Sequence, residues 1–440
     1  MPTLICISPE SISAHYAVLD HIGNLGPGQG FLRAAWSDEE TAAMRHIEQA
    51  AVAAGLLSRW DEVGNLAIET PGEFSEWVET GSHMDTVPGG GNYDGAAGVV
   101  AGLEAIIAIF RAGNALQRGL RLRIWRGEES STFGVVSAGA RAAFGLLAHE
   151  ALENVYRGKT LAEAIAGQGG DPSLIAGRRP TIPASERQAI AAHIELHIEQ
   201  GSVLEQGGYD LGVVTGIRGS IRSWVRLTGA FDHSGATPMG AAWRKDVNLA
   251  MAHMQVRLDA LAMEAIEAGR DIVQTIGVVN SNRHFNESLS ALYDNAVAKV
   301  SGFGYFSHEV RGCYSTEVRH FVEQARQIIR DVADEFGVQV EIEEFSSVDG
   351  LFRLDDGLQH LLSACCKKHG ASYTGLPSGA WHDVAVLHDQ QRDDGSKIPT
   401  GMLFVPCRGG VSHSPEEYVS PEQLALGASV LAEAMAELAL

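Results

Sequence analysis

The 440-residue sequence predicts an α/β protein of two domains, a principal α/β domain interrupted by an inserted β-α-β-β-α-β domain. Three observations carry that reading. A chain of this length exceeds what one ordinary core accommodates. Strand and helix patterns alternate to about residue 215, as in a largely parallel, buried sheet. From Gly216 the style changes: strands alternate polar with apolar, and two helical stretches are interleaved as a four-stranded antiparallel sheet with two helices on one face requires. The boundaries fall at 1–216 and 350–440 for the principal domain and 217–349 for the insert.

Taken in order, the first ~80 residues begin as helix. Ser37–Ala54 carries a Ser cap, Glu40 at the capping-box position and apolar residues at helical spacing. Gly55 closes it, and Asp61–Asn65 turns into a strand at Leu66–Glu69. Glu79–Ser82 reads as the end of a buried strand, Ala96–Phe110 as an apolar Ala/Gly-rich helix, and Gly119–Trp125 as a strand. In the insert the expected elements are strand Ser220–Ala230, helix Asp246–Ala268, strands Asp271–Asn280 and Gly302–Arg311, helix Ser315–Phe336 and strand Val338–Phe345. Gly350–Leu440 supplies further α/β elements that close the principal domain.

Bulk composition narrows the function. Hydrophobic content of 45% with 20% charged residues belongs to a folded protein. Thirty-three Lys+Arg against 55 Asp+Glu give a net charge of −22, which argues against nucleic-acid and anionic-membrane partners. No basic region followed by a long apolar stretch opens the chain, and no apolar run reaches membrane-spanning length. Five cysteines, an odd number without a CxxC pair, read as reduced thiols, so a cytoplasmic protein is expected.

The chemistry concentrates in His83–Gly95, HMDTVPGGGNYDG, where an imidazole and a carboxylate stand eleven positions apart across a Gly/Pro loop between strand and helix. Both are ligands for a zinc-type divalent ion. One helix and one strand later comes the pair Glu128-Glu129. Alone it would read as a solvated turn. After His83 and Asp94 it offers one carboxylate to hold a metal and another to take a proton from water. His197 lies in an alternating strand that sets Glu195, His197 and Glu199 on one face, where a hydrogen-bonded core histidine is the plainer alternative. His413 follows the apolar run Met402–Val405 at a second glycine loop. Together His83, Asp94, Glu129, His197 and His413 make five ligands for two metal ions, with Asp94 able to share its two oxygens between them.

The motifs GSHMDTVPGGGNYDG, GEES, HIEQG, HSGATPM, PSGAWHD and FVPCRGGVSHSPEE, in this order, resemble those of the M20 metallopeptidase-like amidohydrolases. The branch resembled is that of N-carbamoyl-L-amino-acid hydrolases, β-ureidopropionases and allantoate amidohydrolases, and the likeness covers essentially the whole chain. It implies a catalytic domain carrying two divalent ions (Zn, Mn, Co or Ni), Asp94 bridging, His83, Glu129, His197 and His413 as terminal ligands, and Glu128 as general base. It implies that the insert is a lid through which the protein forms a homodimer. His233, in the HSGATPM motif, would polarise the scissile carbonyl; Arg311 and Asn295 would grip a substrate carboxylate; Gln200 and His382 would line the pocket. Ureido-group hydrolases of this family place a histidine where HIEQG has His197, and its peptidases place an acid there.

Three departures from the family pattern stand out. Ser130-Ser131-Thr132-Phe133 replaces Gly-x-Arg-Phe, Trp381 occupies the place of the glycine before His382, and the loop after Asn280 is lengthened, adding Arg283, His284 and Asn286. The expected activity is hydrolysis of the linear C–N bond of an N-carbamoyl-L-amino acid or a related ureido acid to amino acid, CO2 and NH3. An allantoate amidohydrolase or an M20 aminoacylase or dipeptidase is the alternative. A catalytically silent binding protein on the same scaffold would have lost a ligand or the base, and this chain retains them.

Overall fold

The computed structural model describes residues 4–281, 296, 298–348 and 352–440. The chain divides into two compact units, Met1–Thr215 with Leu354–Leu440, and Gly216–Arg353.

The core of the first unit is a sheet whose strands run in the order Leu57–Trp60, Leu66–Glu69, Gly119–Trp125, Trp77–His83, Ile190–Ile198, Thr400–Val405, Leu211–Ile217. The four strands from Gly119–Trp125 to Thr400–Val405 are parallel and almost wholly buried. Only Thr400–Val405 reads as the near-continuous apolar run usual for a strand covered on both faces; the other three bury charged and polar side chains among their apolar ones. The flanking pairs are antiparallel, so the sheet is mixed and parallel only at its centre. The Ala96–Arg111 helix is buried nearly all round. Its alanines and glycines let it lie close against the Trp77–His83 and Ile190–Ile198 strands and the Pro421–Ala439 helix. A buried ionic cluster ties the sheet laterally: Glu79, fully enclosed, takes Arg121 Nη1 at 2.6 Å and Arg123 Nη2 at 2.9 Å.

The second unit is a five-stranded antiparallel sheet in the order Val273–Thr275, Phe303–Gly312, Gly219–Thr228, Gln339–Val348, with Val279–Asn280 also paired to the Phe303–Gly312 strand. The helices Val247–Glu267 and Ser315–Phe336 pack Leu258, Phe321 and Ile329 into a core with Val225 and Phe306 of the sheet. Element order follows the pattern read from the sequence, except that the strand expected at Asp271–Asn280 is interrupted between Thr275 and Val279. The expected return point near Asp349 lies outside the described residues.

One local expectation is corrected. Ser37 does cap the Asp38–Ala53 helix, accepting the Glu40 N–H at 3.1 Å. The Glu40 carboxylate does not return to the cap backbone. It is fully buried and instead takes the Trp36 N–H at 2.7 Å, the Gly127 N–H at 3.1 Å and the Arg126 guanidinium at 2.6 Å. A buried guanidinium demands a paired carboxylate more strongly than an exposed cap demands a second bond.

Candidate metal centre

The candidate ligands of the first unit sit at the carboxyl ends of the parallel strands, where open α/β sheets place their ligand crevices. His83 ends its strand and His197 is the penultimate residue of its own. Glu128 and Glu129 follow Gly119–Trp125, and His413 follows Thr400–Val405. Asp94 precedes the Ala96–Arg111 helix on the glycine loop. Gly95 is obligatory there: its φ is +67°, and a Cβ would lie 2.5 Å from the His83 ring.

Asp94 is the hub. Its Oδ1 lies 3.1 Å from His197 Nε2 and 3.6 Å from His83 Nε2, and its Oδ2 lies 3.1 Å from His413 Nε2. His413 Nε2 is also 3.2 Å from Glu129 Oε1. The structure thus makes two ligand groups that share Asp94, His83–Asp94–His197 and Asp94–Glu129–His413, with donor atoms within 4.8 Å of one another in each. A third such group, Glu195–His197–His382, adjoins the first.

Surrounding bonds set which ring nitrogen is available. His197 Nδ1 lies 2.9 Å from the Ile198 carbonyl and His83 Nδ1 3.1 Å from the Asp85 carbonyl, so each donates there and turns its Nε2 toward Asp94. Electrostatics agree. Burial would raise the Asp94 carboxyl, but hydrogen bonds with His197, His413 and His83 hold it well below the usual range. Burial disfavours a charged His83, yet Asp85 and Asp94 carry it well above an ordinary histidine. Asp94 and Glu129 push His413 up to about 10. Protons on imidazoles are neutralising a cluster of buried carboxylates. A mixed N/O donor set of this kind fits divalent cations.

Glu128 belongs to neither ligand group. It is buried, and that burial, with Asp383, Glu129 and Asp85 nearby, pushes its carboxyl well above the usual range despite His83. Gln200, held at φ +56°, donates to Asp94 Oδ2 at 2.7 Å and lies 3.3 Å from His413 Nε2. His382 Nε2 meets Ser378 Oγ at 2.8 Å, and its ring lies edge-on to His197 at 4.4 Å. Burial, with His197 and His83 adjacent, keeps it neutral.

The remaining candidates are in the second unit. His233 is exposed, and its Nδ1 accepts the N–H groups of Gly235 and Ala236, each at 3.1 Å, which leaves Nε2–H as a free donor. Arg311 shares Glu309 with Arg222 on the Phe303–Gly312 strand. Asn295, with Arg283, His284 and Asn286, lies outside the described residues. A cleft of about 760 Å³ lined by Trp36, Phe133, Tyr156 and Arg157 takes in none of the candidate ligands.

Sequence reasoning passed over two residues. Asp85, fully buried, accepts the Glu128 N–H on Oδ1 and the Glu129 N–H on Oδ2, both at 3.0 Å, while its Oδ1 lies 3.3 Å from His83 Nδ1. Glu417 accepts the N–H groups of Tyr93 at 2.8 Å and Asp94 at 2.9 Å, and the Ser412 hydroxyl at 3.0 Å. Both stand inside motifs already singled out, and carboxylates there were the available signal.

The model of peptidase family M20/M25/M40 matches residues 80–437. The chain belongs to that family. Among its M20 relatives, the allantoate amidohydrolase of Escherichia coli is 31% identical over 420 residues, 94% of each chain. The N-carbamoyl-L-amino acid amidohydrolase of Geobacillus stearothermophilus is 32% identical over 431 residues, covering 96% of this chain and 97% of the relative. A hydantoinase/carbamoylase family amidase from Burkholderia ambifaria superposes with a TM-score of 0.84 at 29% identity over 98% of each chain. The α/β architecture is that of these structures.

Proposed function

We propose that this M20 protein is a metal-dependent amidohydrolase that cleaves the carbamoyl C–N bond of an N-carbamoyl-L-amino acid or a closely related ureido acid. The observation that carries the reading is the paired ligand cluster on Asp94, with an imidazole, His197, where an acid would suit a peptidase of this family. The relatives named for N-carbamoyl-L-amino-acid and allantoate hydrolysis span essentially the whole chain and support the same bond type.

In this reading His83, His197 and Asp94 would hold one divalent ion and Asp94, Glu129 and His413 a second. The ions would supply Lewis acidity and lower the pKa of water in the site. Glu128 takes the proton from water as its oxygen attacks the carbamoyl carbon. Nε2–H of His233 donates to the oxyanion that develops on the former carbonyl. Glu128 then returns the proton to the leaving nitrogen as the C–N bond breaks, giving the amino acid and carbamate, which falls to CO2 and NH3. Arg311 and Asn295 hold the substrate carboxylate, a planar fork suiting that partner. His382 and Gln200 line the pocket.

The second unit acts as the lid and the homodimer contact. Its helix Val247–Glu267 leaves Leu249, Val256 and Met263 exposed at seven-residue intervals, with Ile266 beside them, while Leu258 and Leu261 face the core. A stripe of that kind is self-complementary.

The test is ammonia release from N-carbamoyl-L- and D-amino acids, N-carbamoyl-β-alanine and allantoate, with N-acyl amino acids and dipeptides assayed for the free amino acid. The protein is stripped of metal and reloaded with zinc, manganese, cobalt or nickel. Metal-dependent turnover of a carbamoyl compound is expected. Preference for allantoate moves the protein to that relative's reaction, and cleavage of dipeptides alone refutes the ureido reading.

A further inference from the structure

We propose that Trp381 and Ser137 form a hydrogen-bond array that fixes the Glu128 carboxylate, which makes both of them positioning residues for the base. The inference rests on Glu128 being that base. It concerns Trp381, whose indole N–H reaches Ser137.

Three backbone bonds of 2.8 Å first bring the segments together: Ser137 N–H to Glu128 O, Ala138 N–H to Gly127 O and Gly139 N–H to Arg126 O. They need glycine at 139, where a Cβ would stand 2.5 Å from the Arg126 carbonyl oxygen. Ser137 itself is fully buried in the left-handed region, φ +51° and ψ +43°. A serine there is strained, and such strain concentrates at functional positions.

The hydroxyl has two hydrogen-bond partners among the described residues, and it also lies close enough to Asp383 to help lower that carboxyl, which burial raises. Trp381 Nε1 lies 3.2 Å from Ser137 Oγ, and Glu128 Oε1 lies 3.4 Å from it. An indole N–H only donates. It therefore occupies a lone pair of Oγ and leaves the hydroxyl hydrogen for a carboxylate; neither Asp383 oxygen meets a hydrogen-bond donor in good geometry, whereas Glu128 Oε1 does, so the array runs Trp381 to Ser137 to Glu128. The indole is held in turn: the Arg141 guanidinium lies 5.6 Å from its ring centroid, and the ring packs on the cluster of Trp125, Phe144 and Val386. Arg141 is anchored through Nε to the Val136 carbonyl at 3.0 Å.

The consequence is chemical. With Oε1 engaged by Ser137, Oε2 is the oxygen that exchanges the proton. A buried carboxylate crowded by other carboxylates would otherwise rotate away from them, and a misaimed base costs rate rather than affinity.

The test uses full-length Trp381→Phe, which keeps the ring and removes only the N–H, together with Ser137→Ala and the double variant. Each single change should lower kcat about tenfold with KM within twofold and metal content unchanged. The double variant should be no slower than Ser137→Ala, because Trp381 acts through Ser137. Unchanged kcat in Trp381→Phe, or losses that multiply in the double variant, overturns the proposal. Should Ser137→Ala fail to fold at a positive φ, Ser137→Gly removes the same hydroxyl without strain. A wild type silent on the whole substrate panel would refute the amidohydrolase reading alone. Crystal structures then judge the array: one Glu128 conformer in wild type and several in Trp381→Phe supports it, and the same single conformer in both overturns it.

Discussion

Replacing Asp85 by asparagine separates orientation from ligation, because Asp85 supports the candidate metal centre without belonging to either ligand group. Its two oxygens each accept one backbone N–H, from Glu128 and Glu129, at 3.0 Å, and the residue is fully buried. An asparagine keeps one acceptor oxygen and turns an NH2 toward the second N–H. One buried amide is left unsatisfied, worth about 1–3 kcal/mol of stability. The same change removes the charge 3.3 Å from His83 Nδ1, leaving only the Asp85 carbonyl to orient that ring. Losing an orienting partner of a ligand histidine typically costs about 10–100-fold in metal affinity. Two measurements read the two effects apart: denaturant unfolding of the metal-free protein in chelator, and zinc affinity by competition with a chromophoric chelator. Asp85→Asn should lose about 1–3 kcal/mol in the first and about one to two decades in the second. Zinc affinity within twofold of wild type would refute the orienting role of Asp85, even if the stability loss appeared.

Other expectations follow from the same geometry. Glu128→Gln should bind two metal equivalents per chain by elemental analysis yet lose at least about 10²–10⁴ in kcat, and retained turnover would remove Glu128 from the proton path. Val256→Asp places a charge at the most exposed point of the second unit's apolar stripe and should convert a dimer to a monomer in light scattering; an unchanged mass puts the interface elsewhere. His308, enclosed with Gln274 at 2.8 Å, has its pKa lowered to about 4 by burial and by Arg326. The unfolded chain takes up that proton near pH 6.5, so stability is complete above that value and declines as pH falls toward 4. The loss is at most about 3 kcal/mol. His308→Gln should flatten this part of the stability-versus-pH curve, and an unaltered slope would show that other groups set it.

Legibility differed by the kind of signal each residue leaves. His83, Asp94, Glu129, His197 and His413 could be named as candidates, and Glu128 beside them, because metal chemistry restricts residue type and the strand-loop-helix pattern restricts place; the structure brings these candidates together. Asp85 and Glu417 act mainly on backbone N–H groups, and a bond to backbone leaves no trace in the partner's identity. The link from Trp381 to Ser137 joins residues 244 positions apart, so sequence marked Trp381 as unusual without saying what it meets. Glu40 shows a local rule yielding to tertiary demand: a capping-box glutamate was drawn inward by Arg126. The antiparallel flanks of the main sheet were missed because a half-buried or buried strand carries its periodicity in sequence but not its direction.

The place of the Thr400–Val405 strand governs how the protein must be made. It lies between Ile190–Ile198 and Leu211–Ile217, yet it is synthesised nearly two hundred residues after them, with the whole Gly216–Arg353 unit in between. Until it emerges from the ribosome, those two strands lack their common neighbour and the sheet keeps an open slot. His413, eight residues beyond that strand, comes later still. The second unit has a core of its own, built from strands and helices that are all made before Thr400–Val405. Completion of the host sheet and assembly of the five candidate ligands are therefore one late event, after the insert has been made.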